Sequence, residues 1–160
     1  MELATELNRA LHGGSPFEGF RADRYPLDLQ GWFGGATVLD QLIDQLHPRF
    51  LIEVGTWKGL SAVHSIRRAL THNEDVAILC IDTWLGSYEH WLEAPWKEML
   101  NCRNGFPQLY EQFLANIMHS GLKDYVVPLP LSSGQAAILI DKLGLKSDFV
   151  YLDGGHDERS

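Results

Sequence analysis

Four short apolar runs constrain this chain more than anything else in it: FLIEV (50–54), VAILCI (76–81), YVVPL (125–129) and DFVYLD (148–153). Their apolar residues fall on consecutive positions, so neither face of such a strand suits water. The stretches between them carry helical periodicity instead. GLSAVHSIRRAL (59–70) sets Leu60, Val63, Ile66 and Leu70 on one stripe. Residues 107–120 do the same with Leu109, Phe113 and Ile117, and a third helix runs from Ser133 or Gly134 to Leu143. Strands buried on both faces and joined by helices predict a parallel sheet covered on both sides. Right-handed crossovers make that pattern a doubly wound α/β domain.

Residues 1–47 form a lead-in to this domain, which occupies 48–160. Leu3, Leu7 and Leu11 recur four apart, so 1–12 is a helix that Gly13-Gly14 ends. Residues 13–35 are rich in Gly, Pro and aromatics and read as an irregular segment lying over the domain. A second helix is predicted over 36–46, with Val38, Leu39, Leu42, Ile43 and Leu46 on one face and Pro48 closing it. Pro128 donates no ladder hydrogen bond, which places 125–129 at a sheet edge. A long connection over 82–106 carries Trp84, Trp91 and Trp96. Its segment WLGSYEHWLEAPW reads equally as a lid over a bound aromatic or glycosylated molecule and as a loop packed on the domain.

Composition narrows the function classes. A net charge of −8 argues against a nucleic-acid partner. No apolar run reaches 18 residues, so no membrane span is expected. The start MELATELNRALHGG lacks the basic beginning and apolar core of a signal peptide, and the expected location is cytoplasmic. Cys80 lies in an apolar run and reads as a buried thiol, and with Cys102 it makes no metal-type spacing. The remaining histidines (12, 47, 64, 72 and 119) make no constellation and read as surface or packing residues.

In a doubly wound sheet, ligands bind beyond the carboxyl ends of the strands. Three chemical candidates fall there: Glu53 to Gly59, Asp82, and Asp153 to His156. EVGTWKG (53–59) has Gly55 for a tight turn and Gly59 at a helix start, where free N–H groups point outward. It is neither GxGxxG nor GxxxxGK[ST], so dinucleotide and P-loop fingerprints are absent. A carboxylate at Glu53 would repel a pyrophosphate and attract a cation. Asp82 follows Gly59 by 23 residues, where an acid accepts hydrogen bonds from ribose hydroxyls. Each feature alone equally describes a shaped turn or a capped loop. In this order they favour a nucleoside-containing ligand.

Together LIEVGTWKGLSA, CIDTWLGS and FVYLDGGH resemble the class I S-adenosylmethionine-dependent methyltransferases, which are Rossmann-like. The resemblance is nearest to the metal-dependent small-molecule O-methyltransferases of the macrocin O-methyltransferase and cephalosporin-hydroxylase-like type. It spans about residues 48–157, and YPLDLQGW (25–32) is similar to that branch's lead-in. It implies that Glu53, Gly55 and Gly59 hold the methionine end of the cofactor and that Asp82 holds its ribose. Thr56, Ser61, Thr83 and Trp84 are implied beside them, and Ser132 and Ser133 at the adenine. A helix N-cap describes Ser132 or Ser133 equally well. The resemblance further implies that Asp153 binds Mg²⁺ or a similar ion and that His156 is the general base for a hydroxyl-bearing small-molecule acceptor. A simple strand-to-helix turn is the plainer reading of DGGH, and Asp157 reads as a helix-start acid.

A full domain of that family continues with three further strands, one bearing the other acidic metal ligands. The resemblance therefore implies that residues 48–160 are a partial domain whose fourth strand has an open outer side. Two other readings stay open. One is a catalytically silent cofactor-binding module that pairs with another chain, a second copy or a completing partner. The other is a nicotinamide-dependent oxidoreductase, which the missing GxGxxG disfavours.

Overall fold

The computed structural model of the chain describes residues 2–33 and 37–155. The four apolar runs become strands β1 (Phe50–Val54), β2 (Ala77–Ile81), β3 (Val126–Leu129) and β4 (Phe149–Leu152). All pairings are parallel, in the order β3-β2-β1-β4. Pro128 sits in the edge strand β3, as its missing donor requires. The chain order reverses between β1 and β4, which opens a crevice at their carboxyl ends.

Helices α1 (Glu2–His12), α2 (Thr37–Leu46), α3 (Leu60–Ala69), α6 (Leu109–His119) and α7 (Ser133–Leu143) match the expected ones within two residues at each end. Strand alternation divides the core. Leu51, Ile78, Cys80 and Val126 face α2, α3 and α6 through Ile43, Val63, Ile66, Phe113 and Ile117. Ile52, Leu79, Ile81 and Val127 face α1 and α7 through Ala4, Leu7 and Ala136. Cys80 is buried, and its thiol is pushed well above its ordinary value by desolvation.

Three expectations change. The 82–106 connection contains two short helices, α4 (Tyr88–Leu92) and α5 (Trp96–Met99). Helix α2 buries Leu39 and Ile43 but leaves Val38, Leu42 and Leu46 exposed, because it meets α3 along one line. That line is fastened by Asp40 to His64 (2.7 Å) and by Asp44 to Arg68 and His72. Finally, β4 is half-covered, with Val150 51% and Leu152 70% exposed on the α1/α7 side. Among the described residues nothing pairs with its outer side.

Candidate functional site

Strands β1, β2 and β4 end at one edge of the sheet and deliver Glu53, Asp82 and Asp153 there. The turn after β1 requires Gly55 twice over. Its φ is +86°, and a Cβ would lie 2.6 Å from both the Asp153 carbonyl carbon and Gly154 Cα. The two crossovers thus touch backbone to backbone at the point where the chain order reverses. Gly59 is the N-cap of α3 at φ +89°, and a Cβ there would meet Phe113 at 3.0 Å. Its missing side chain admits a core ring.

Glu53 is 1% exposed. Ser61 Oγ, in the first turn of α3, donates to Glu53 Oε1, while Oε2 is buried with no hydrogen-bond partner. Desolvation, with Asp153 and Asp82 nearby, pushes its carboxyl up to about 8. Between the ordinary value of 4.5 and about 8, the folded protein therefore holds a proton that the unfolded chain has released. Stability from this group is present below about 4.5 and lost as pH rises to about 8. Against Glu53→Gln, wild type is expected to lose urea stability steadily over that window and level off above it. Parallel pH profiles would contradict this account of Glu53.

Asp82 joins two loops. The Trp57 N–H donates to its Oδ2 and the Trp84 N–H to its Oδ1, each at 2.8 Å. Both tryptophans have φ +51°, a left-handed conformation that costs a non-glycine residue roughly 1–2 kcal/mol. Burial raises the Asp82 carboxyl above its ordinary value, and these amides oppose the rise. The Trp84 indole donates to Trp57 O at 2.8 Å, and its ring packs in the core between Tyr110 and Phe113. Thr56 is buried in the turn, and Thr83 is exposed, with Oγ1 accepting from Leu85 N at 3.3 Å.

The lead-in grips the same turn. Fully buried Asn116 of α6 accepts from Asp28 N at 2.9 Å and donates to Asp28 O (2.6 Å) and Lys58 O (2.8 Å). Buried Lys58 pairs with Asp28 at 2.6 Å, and Gln30 Oε1 accepts from the Trp57 indole at 3.0 Å. Asp28, Gln30 and Lys58 line a cavity of about 340 Å³ with Glu98, Asn101 and Gln112. Above Trp57, rings from three segments gather. His90 lies 4.6 Å and Trp32 5.7 Å from Trp57, and Trp96 lies 5.2 Å from Trp32. Burial there holds the His90 imidazole below its ordinary value. His90 and Trp96 of the connection thus pack with Trp32 over the turn, while Tyr88, Trp91 and Leu92 stay exposed.

The other expected residues lie further out. Ser132 is the N-cap of α7, accepting from Gln135 N at 3.4 Å, and Ser133 is the first helical residue. Both are exposed beyond β3. Asp153 is exposed at the tip of β4, its N–H bonded to Val54 O at 2.8 Å. Among the described residues no three His, Cys, Asp or Glu converge as a metal set. His156 and Asp157 lie outside the described residues. Asp28, Gln30 and Asn116 emerge from the structure alone, whereas Trp57 lies inside the EVGTWKG turn. Asp28 and Gln30 leave one trace in the sequence, as polar residues inside the aromatic segment YPLDLQGW.

The comparisons with known proteins agree with this fold. An O-methyltransferase from Bacillus cereus, solved in complex with SAH, shares the fold at a TM-score of 0.50 and 16% identity, covering 96% of this chain and 62% of that one. The O-methyltransferase TomG from Streptomyces achromogenes, involved in tomaymycin synthesis and solved with SAM, gives 0.50 and 17%, covering 96% and 60%. This chain thus spans about 60% of the length of those proteins. No curated protein sequence matches. A family model described as a methyltransferase domain matches residues 52–160, more than half of the chain, and the chain belongs to that family.

Proposed function

We propose that this chain is the S-adenosylmethionine-binding part of a methyltransferase acting on a hydroxyl of a small molecule. One observation carries the reading: buried Glu53, with Oε2 lacking a donor, lies at the strand edge where Asp82 also ends, beside the α3 N-terminus. That arrangement suits a ligand with a cationic amine, a carboxylate and a ribose. Glu53, giving up its proton as the ligand's charge replaces it, would take the ammonium, the first-turn N–H groups of α3 the carboxylate, and Asp82 the ribose diol. Ser132 and Ser133 lie on the side of β3, where the adenine would extend.

When bound, S-adenosylmethionine supplies an electrophilic methyl group. The chain orients it, and the ring cluster over Trp57 excludes water from that side. For transfer to a hydroxyl, His156, following two glycines after Asp153, is the assigned proton acceptor. A divalent ion at Asp153 would find one carboxylate on the β4 side, whereas hard cations take about six oxygens.

Calorimetry with S-adenosylmethionine and S-adenosylhomocysteine is the test, with micromolar binding expected. Absence of binding overturns the reading, and NADH binding in its place would favour the oxidoreductase. Methyl transfer that persists undiminished in His156→Ala would remove His156 as the base. The open side of β4 favours a second reading, in which the domain works paired with another copy or a completing chain. A strictly monomeric mass by light scattering, together with methyl transfer, would exclude it.

A further inference from the structure

We propose that Gln30 is a positioning residue of the cofactor site, holding Trp57 so that the turn after β1 keeps Asp82 aimed at its ligand. The inference rests on the methyltransferase reading. Trp57 is the link. Its N–H ends on Asp82 Oδ2, its carbonyl accepts the Trp84 indole, and its own indole ends on Gln30 Oε1. A left-handed tryptophan persists when its surroundings over-determine it, and these three bonds do so from three directions.

Gln30 can act as an anchor because its own segment is fixed. Its N–H bonds to Asp28 Oδ1 at 3.1 Å, and Asp28 is held through N–H and carbonyl by Asn116 and through its carboxylate by Lys58. The chain of contacts runs from the rigid core of α6, through the lead-in and the Trp57 ring, to the carboxylate. Among the described residues, Gln30 Oε1 is the acceptor for that indole. The ring contacts with Trp32 and His90 add area and no direction. Losing the one directional contact lets the ring rotate about its side-chain torsions, and the amide on Asp82 then loses its fixed orientation.

The test uses the full 160-residue chain with Gln30→Ala and Gln30→Glu, whose carboxylate accepts the same bond. The Trp57 indole N–H resonance, assigned through Trp57→Phe, reports the anchor without any ligand. Calorimetry with S-adenosylhomocysteine reports the site, and the melting temperature reports the fold. Gln30→Ala is expected to shift the indole resonance and weaken binding roughly tenfold, with melting within a few degrees of wild type. Gln30→Glu is expected to restore both resonance and affinity. Wild-type affinity in Gln30→Ala overturns the proposal, as does a restored resonance in Gln30→Glu with affinity still weak. Absence of binding in wild type overturns the methyltransferase reading instead, and Gln30 is then an anchor of the turn alone, as the resonance would show.

Discussion

Asp82→Ala is expected to abolish measurable cofactor binding, a loss of at least about 100-fold. On the proposed reading the carboxylate has two jobs, holding both loops and accepting from the ribose, and the substitution removes both. It accepts the Trp57 and Trp84 amides at 2.8 Å, hydrogen bonds to a charged group that contribute about 1.5–3 kcal/mol each. Those bonds offset the left-handed conformation of both residues. Without them the two loops relax toward extended or right-handed backbone, and the ribose would lose its acceptor as well. Asp82→Asn separates the two jobs. It keeps one acceptor oxygen for one loop and turns a donor toward the other, so an intermediate loss is expected. Isothermal titration with S-adenosylhomocysteine measures both variants. Undiminished binding by Asp82→Ala would remove Asp82 from the site.

Gly55→Ala is expected to destabilise the fold by about 3 kcal/mol. The added Cβ would lie 2.6 Å from two backbone atoms of the turn after β4, neither of which can rotate away. A left-handed alanine costs roughly 1–2 kcal/mol and overpacking typically 1–3 kcal/mol more. The strain will be relieved at β4, which pairs with β1 on one side and is half-exposed. Hydrogen exchange should therefore quicken at 149–152 before it does in β2. Gly154→Ala is the control: its Cβ would sit 4.0 Å from Val54 and its φ is not positive, so a change within about 0.5 kcal/mol is expected. Equal urea midpoints for the two variants would contradict the steric account.

What was legible in the sequence follows from range. Strands and long helices announce themselves through local patterns, and the carboxylates at strand ends follow from them. Pro128 marked an edge because its missing donor is a property of one residue. Helices α4 and α5 are too short for periodicity to register. Asn116 reads as an ordinary polar residue between Phe113 and Ile117, because its partners Asp28 and Lys58 lie 88 and 58 residues away. Trp84 sits in a motif of the expected cofactor site, yet its ring is core; the motif shows where the backbone goes and not where a side chain points. The five-residue face expected for α2 failed for a related reason: amphipathicity marks a face, while the width actually buried depends on how its neighbour crosses it.

The double grip of Asp82 has a thermodynamic corollary. Trp57 belongs to the turn after β1 and Trp84 begins the aromatic connection, so one carboxylate reports to both. A molecule that favours the present posture of the connection raises the affinity of any ligand at the turn that favours the same posture, and by reciprocity the same factor operates in reverse. Two ligands that share that preference would then load as partners, each making the other's arrival more favourable, even without touching.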